Sequence, residues 1–458
     1  MQKITNPYLP GQIPESKDGF FGREELVTWL EQQIIARRRV MVLHGPSLIG
    51  KTTFLRLAPQ LLTLEAVIVT LSVAELSDPA PETVLTALMQ TLARQAAPPA
   101  DSPPPTDAVA AFDNLLAQTR QRRPAAEIAL LLDDFDHFLT RFPVETDLFL
   151  GVCQTLLARH SYLHLLLALQ STSLPHLNHP LLDTAAVRQI TVLKRNDALR
   201  MITRPVEGVL RFDYGVPKRI AELTSNHPHY LTLFNHTLFS RYAREGWVNL
   251  RHLDETLNDV LNTDIPSFTA IWQESTWVER AVLSAMASVK GTHGIFTRQE
   301  VLAALLRHDH KAEGKVILTA LESLAYRGIL VKMGALGYRF CVDLFRYWLQ
   351  QQFNLPAVLN DVIWQEPAAR PQPPSPEAVQ PAPGPRTPAW PVWMWGLLGL
   401  ALVGLLALGF TVLAARTRAR VTPTPVIAPE QAVAGFKTAL APTPSPTVTS
   451  APTATATP

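Results

Sequence analysis

The sequence predicts an α/β fold: a parallel sheet with helices on both faces, then a helical region, a unit of three helices and a hairpin, a Pro-rich linker and one membrane span. Three observations predict it. Short apolar runs alternate with helix-forming stretches ahead of Arg195, the pattern of a sheet wound on both sides. A glycine-bearing loop, Gly45-Pro46-Ser47-Leu48-Ile49-Gly50-Lys51-Thr52, joins the first run to a helix. An uncharged apolar run reaching Ala415 follows a segment rich in proline.

In chain order, Phe20-Phe21-Gly22-Arg23-Glu24-Glu25-Leu26 leads into a helix with apolar residues at Leu26, Trp29, Leu30 and Ile34. This segment either folds back across a ligand or forms a helix cap with a hydrophobic staple. Val40-Met41-Val42-Leu43 reads as the first strand, and Thr53 to Leu62 as the helix after the loop. Strand, loop and helix together read as a phosphate-binding loop. Its glycines let backbone N–H groups turn toward phosphate oxygens, Lys51 reaches the β- and γ-phosphates, and Thr52 offers a hydroxyl to Mg²⁺. Thr53 opens the helix, whose N-terminal dipole faces the anion. The plainer reading, a tight turn between buried elements, leaves Lys51 pointing inward without a partner.

Ala66–Leu71 is a second strand, and helices follow at Pro81–Arg94 and Asp107–Arg122 around the Pro-rich loop Ala97–Pro105. Ile128-Ala129-Leu130-Leu131-Leu132-Asp133-Asp134-Phe135-Asp136 is an apolar run ending in carboxylates, as when a buried parallel strand delivers acids to the ligand edge of a sheet. Asp133 is expected to hold Mg²⁺, directly or through water, and Asp134 to orient or deprotonate the attacking water. Asp136 suits a helix cap. Leu163–Leu169, ending in Gln170-Ser171, is the fourth strand, and Val187–Val192 the fifth.

The loop, the carboxylate strand and the Gly22-Arg23-Glu24 box together resemble the P-loop NTPase core of AAA-related ATPases, of the STAND and archaeal types. The resemblance implies ATP as ligand and substrate with Mg²⁺, and places Phe21, Gly22 and Arg23 near the adenine. It implies that a polar residue after the fourth strand, Gln170 or Ser171, senses the γ-phosphate; a strand end meeting solvent is the alternative. It also implies a helical lid from Arg195, with helices at Asp197–Ile202, Val216–Leu223 and Tyr230–Ala243. There Asn226-His227-Pro228 stands where STAND proteins carry Gly-x-Pro, which makes Pro228 or His227 a candidate nucleotide contact. Asn226 replaces the glycine, and asparagine tolerates left-handed backbone. Arg204 either reaches a phosphate or is simply solvated.

Trp277–Ala287, Thr297–Arg307, Gly314–Tyr326 and a hairpin around Gly334-Ala335-Leu336 spell a winged helix. Such domains often read DNA with the third helix. Here that helix carries Glu322 beside Lys315 and Arg327, so packing on the ATPase or self-association is favoured over DNA. The net charge of +2 gives no strong positive field either.

Leu355–Ala389 reads as a disordered linker. The run beginning at Val392 and ending at Ala415, about 24 residues at ~1.5 Å each, exceeds the ~30 Å hydrocarbon core. Trp390, Trp393 and Trp395 mark one interface, and Arg416, Arg418 and Arg420 the other. Those arginines favour a cytoplasmic C-terminus. A nucleotide-using domain without a signal sequence favours the reverse and weighs more, so the Thr/Pro-rich tail is expected outside. Cys153 and Cys341 are far apart and suggest buried thiols. The expected domains are 1–194, the ATPase core; 195–265, the lid; 266–353, the winged helix; 354–389, the linker; 390–415, the span; and 416–458, the disordered tail. The function expected is a membrane-anchored switch that hydrolyses ATP slowly. A membrane-tethered DNA-associated ATPase and a non-hydrolysing scaffold are the alternatives.

Overall fold

The computed structural model describes residues 5–96, 107–289, 294–308, 311–362 and 364. The expected span, the tail, the linker beyond 364 and the loop at 97–105 lie outside these residues.

The core is a parallel sheet of five strands in the order β2-β3-β4-β1-β5. These are β1 (Val40–Gly45), β2 (Ala66–Ser72), β3 (Glu127–Asp133), β4 (Leu163–Gln170) and β5 (Ala186–Gln189). Strand side chains alternate between faces, so each face gets its own core. Met41, Leu43, Ile68, Leu131 and Leu166 pack under α1 (Glu24–Ile35) and α2 (Lys51–Leu61). Val42, Val69, Leu130, Leu132 and Leu167 pack under α3 (Pro81–Ala96), α4 (Ala108–Arg122), α5 (Phe135–Arg141) and α6 (Pro143–Arg159). Burial on both faces is why these strands read as unbroken apolar runs. The fifth strand is shorter than expected. Ile190 N–H still reaches His44 O, but Leu193 N–H turns away to Asn226 O in the lid.

The region expected as the lid holds α7 (Arg195–Thr203), α8 (Val216–Leu223), α9 (Pro228–Tyr242) and α10 (Leu250–Asn262), and α11 (Pro266–Glu274) follows it. A two-residue parallel pair, β6 (Arg211–Phe212) with β7 (Trp247–Val248), ties it together. The amino-terminal segment belongs with the lid: Tyr8 is buried there, its hydroxyl donates to Ile202 O, and Asn6 Nδ2 donates to His236 O at 2.9 Å.

Next come α12 (Trp277–Ser288), α13 (Arg298–Leu306) and α14 (Gly314–Tyr326), then the antiparallel pair β8 (Leu330–Lys332) and β9 (Tyr338–Phe340), and α15 (Asp343–Gln352). Capping boxes, Thr276 with Glu279 and Thr297 with Glu300, start α12 and α13. No break in the core separates this unit from the lid. Phe268 of α11 lies 5.0 Å from Phe345 and 5.9 Å from Trp348, ring centroid to centroid, and one apolar cluster runs through both. The expected start of the linker is also corrected. Leu355–Leu359 forms α16, whose Leu355, Val358 and Leu359 are buried against the same cluster, with α12 its principal neighbour. Proline at the first turn suits a helix start, and apolar neighbours were at hand.

Candidate nucleotide site

The carboxyl edge of the sheet gathers the predicted residues. β1 ends at Gly45, where a Cβ would run into Ile190, so only glycine fits. The loop then curls through Leu48 (φ 59°) and Gly50 (φ 100°), both left-handed, before α2 begins at Lys51. Ile49 is buried and pins the loop, whereas Leu48 is exposed. Pro46 and Thr53 are partly buried along the same path, and Ser47 faces solvent. Lys51 is only 8% exposed, and its Nζ donates to Gly45 O at 3.0 Å and Pro46 O at 2.8 Å. The ammonium thus sits inside the curl. Burial lowers its pKa, opposed by the charges of Asp136, Asp133 and Asp134, in that order.

Asp133 is 2% exposed at the end of β3. Burial raises its pKa, while a hydrogen bond with the Thr52 side chain pulls it back. Its Oδ1 accepts Asp134 N–H at 3.0 Å, whereas Oδ2 is buried with no hydrogen-bond partner. A buried, unpartnered carboxylate oxygen beside a threonine hydroxyl is a donor set that suits a hard cation such as Mg²⁺. Asp134 adopts left-handed backbone (φ 54°), and its Oδ2 accepts from Ser72 Oγ at 2.8 Å. Strain of this kind in a non-glycine residue collects at functional positions.

Asp136 does not cap α5 as expected. It sits in the helix's first turn and reaches across to β4, accepting from Gln170 N at 3.2 Å and Gln170 Nε2 at 3.4 Å. Gln170, next to Gly45 in the β1–β4 register, is therefore fixed at the site's rim. Ser171 Oγ lies 3.0 Å from His44 Nδ1. Burial, then the charge of Lys51, lowers the pKa of His44, which favours the neutral ring.

The box segment lies against the loop. Arg23 Nη2 donates to Ile49 O at 3.0 Å, and burial brings its pKa down to about 10 despite nearby Asp197. Gly22 (φ 67°) packs so closely on Asp197 of α7 that a Cβ would clash. Phe21 is half-buried beside it, and Phe20 stacks on Phe54 of α2.

From the lid, the turn before α9 carries Ser225 (φ 53°) and Asn226 (φ 57°), both left-handed. Asn226 thus adopts the geometry expected of the glycine it replaces. His227 is 4% exposed, shares a hydrogen bond with the Ser47 backbone and keeps Nδ1 unpartnered. Burial, then His229 and Arg23, pushes its pKa down to about 3, so the ring is neutral. Pro228 is the first residue of α9, and Arg204 is exposed. Of the two lid candidates, His227 is the one that reaches the loop.

Sequence reasoning missed Ser72 and the cross-strand role of Asp136. A polar residue ending β2 in register with Asp133 was a readable signal for the first. Nothing local signalled the second.

The family model described as nSTAND1, Novel STAND NTPase 1, matches residues 13–334. Among solved structures, the chain is similar to a Walker-type ATPase of Pyrococcus abyssi, with 15% identity and a TM-score of 0.56, covering 74% of this chain and 99% of that one. That likeness shows the fold. It is more distantly similar to the ORC1 protein of Aeropyrum pernix in complex with DNA, at 14% identity and a TM-score of 0.39, covering 76% of this chain and 96% of that one. The Thermotoga maritima RuvB Holliday junction branch migration motor stands at 15% identity and 0.40, covering 71% and 94%. These last two likenesses are too weak to carry an argument. No curated protein matches the sequence.

Proposed function

The chain belongs to the Novel STAND NTPase 1 family, and from that premise we propose that it is a membrane-anchored switch that binds ATP with Mg²⁺ and hydrolyses it slowly. The observation that carries the proposal is the grouping of Lys51, Thr52 and Asp133, with its unpartnered Oδ2, at one sheet edge. In this reading the loop backbone and Lys51 bind the phosphates, the ammonium exchanging its two carbonyl partners for phosphate oxygens. Thr52 and Asp133 would hold Mg²⁺, which when bound would neutralise phosphate charge. Asp134, released from Ser72, orients or deprotonates the water. Gln170, steadied by Asp136, reports whether a γ-phosphate is present.

Switching is supported by contacts between the carboxy-terminal unit and the site's surroundings. Tyr326 OH donates to Thr172 O at 3.1 Å, two residues past Gln170, and Asp343 N–H donates to Ser225 Oγ at 2.9 Å in the turn that carries His227. We read α12 to β9 as a winged helix whose third helix packs on the ATPase. Within this unit Lys332 donates to Glu322 at 2.7 Å and Arg327, at the end of that helix, donates to Glu279 at 3.2 Å, so these cations are engaged internally, which speaks against DNA readout. The anchor is the apolar run ending at Ala415, with the ATPase in the cytoplasm and the tail outside.

The test is ATP binding and phosphate release by the compact unit Met1–Ala369. Mg²⁺-dependent binding with slow release is expected. Lys51→Ala should abolish binding, and Asp134→Asn should keep binding and lose at least ~100-fold in turnover. A unit that binds neither ATP nor GTP overturns the reading, and an Asp134→Asn variant identical to its parent points to a scaffold.

A further inference from the structure

Beside Asp133, at the carboxyl end of β2, lies a cleft of about 390 Å³. Thr70 and Ser72 at the end of β2 line it, with Arg56 of α2 and Glu75 to one side and Thr91 and Arg94 of α3 to the other. Asp133 itself lines the cleft, so the opening leads to the carboxylate that the proposed site assigns to the metal. Ser72 stands at the junction, since its hydroxyl also holds Asp134 Oδ2 at 2.8 Å.

The cations here are loosely committed. Arg94 donates only to its own helix, from Nε to Gln90 O at 3.2 Å and from Nη2 to Thr91 Oγ1 at 3.4 Å, and among the described residues it pairs with no carboxylate. Arg56 has one partner, exposed Glu75, at 3.4 Å. A guanidinium fork without a carboxylate matches an oxyanion by charge and by shape. The hydroxyls of Thr70, Ser72 and Thr91 line the same wall but already donate to Leu55 O, Asp134 Oδ2 and Ala87 O, so the two guanidinium groups are the donors that face an anion. The plainer account of Arg94 is a solvated cation in the last turn of a helix, where the dipole favours it. That account does not explain why a second arginine lines the same cleft ending at Asp133.

We propose that this cleft binds inorganic phosphate and is the path by which the hydrolysed γ-phosphoryl group leaves; the inference rests on the ATP-hydrolysing reading of the neighbouring site. Hydrolysis joins the water oxygen to the γ-phosphorus and breaks its bond to the β,γ-bridging oxygen. That oxygen keeps the electron pair on ADP, and one proton is released. ADP still fills the Gly45–Thr52 loop at that moment, so phosphate needs another way out. The cleft beside Asp133 offers one, with Arg56 and Arg94 to receive the dianion.

The test uses the full-length chain in detergent, saturated with Mg²⁺ and a non-hydrolysable ATP analogue so that the loop is filled. Binding of inorganic phosphate is then read from ³¹P line broadening. Saturable millimolar binding is expected, weakened about tenfold in Arg94→Gln and in Arg56→Gln. Arg94→Lys should restore part of it, and the affinity for the analogue should be unchanged in all three variants. Absence of saturable broadening, or broadening indifferent to both glutamine variants, overturns the proposal while leaving the ATP site standing. If the analogue itself fails to bind, the ATP reading falls and this inference falls with it.

Discussion

At Asp133 stability and use pull in opposite directions. Burial holds its pKa above the ordinary carboxylate value, and one oxygen has no partner. In the metal-free chain the ionised form is therefore disfavoured by folding. The sign follows: a carboxyl whose folded pKa is raised costs stability once pH exceeds the unfolded value, and the full cost is reached above the folded one. Asp133→Asn should thus stabilise the metal-free protein at pH 7.5, raising Tm by about 1–3 °C, while abolishing Mg²⁺-dependent phosphate release. Calorimetry beside a turnover assay checks both halves, and a lower Tm would contradict the burial argument. His227 makes the opposite case. Its pKa, near 3 when folded, lies below that of the free ring, so the unfolded chain binds more protons and stability drains as pH falls below about 6.5. Urea midpoints at pH 7 and pH 5 should differ less in His227→Leu than in the parent.

Among the elements, those buried on two faces or fixed by local chemistry were legible. β1, β3 and β4 announce themselves as unbroken apolar runs, and Gly45, Gly50 and Lys51 fix the loop that follows. The Thr-x-x-Glu caps of α12 and α13 stand one residue ahead of their helices. What stayed hidden depends on partners distant in the chain. Asp136 looks like a helix cap until Gln170, in another strand, is brought beside it. Tyr8 looks like part of a loose leader until Ile202 accepts its hydroxyl. α16 hides behind the prolines that follow it, because its stability comes from the surface that buries Leu355, Val358 and Leu359 and not from helix propensity. Ending the chain at Phe353 instead of Ala369 should therefore cost about 3–6 kcal/mol. Urea unfolding of the two fragments measures it, and equal midpoints would show α16 to be ornamental.

For the molecule as a whole, the proposed anchor is open to direct test. Full-length protein should stay with membranes through alkaline carbonate washing, and protease added outside should shorten it only at the carboxy-terminal tail. Release by carbonate would remove the span, and digestion of the ATPase unit from outside would reverse the orientation. The undivided core shared by the lid and the carboxy-terminal unit bears on how a signal would travel. With Phe268 packed against Phe345 and Trp348, there is no bearing between the two parts on which one could slip. In the proposed switch they would therefore move as one body, carrying with them the turn at Ser225 that Asp343 holds.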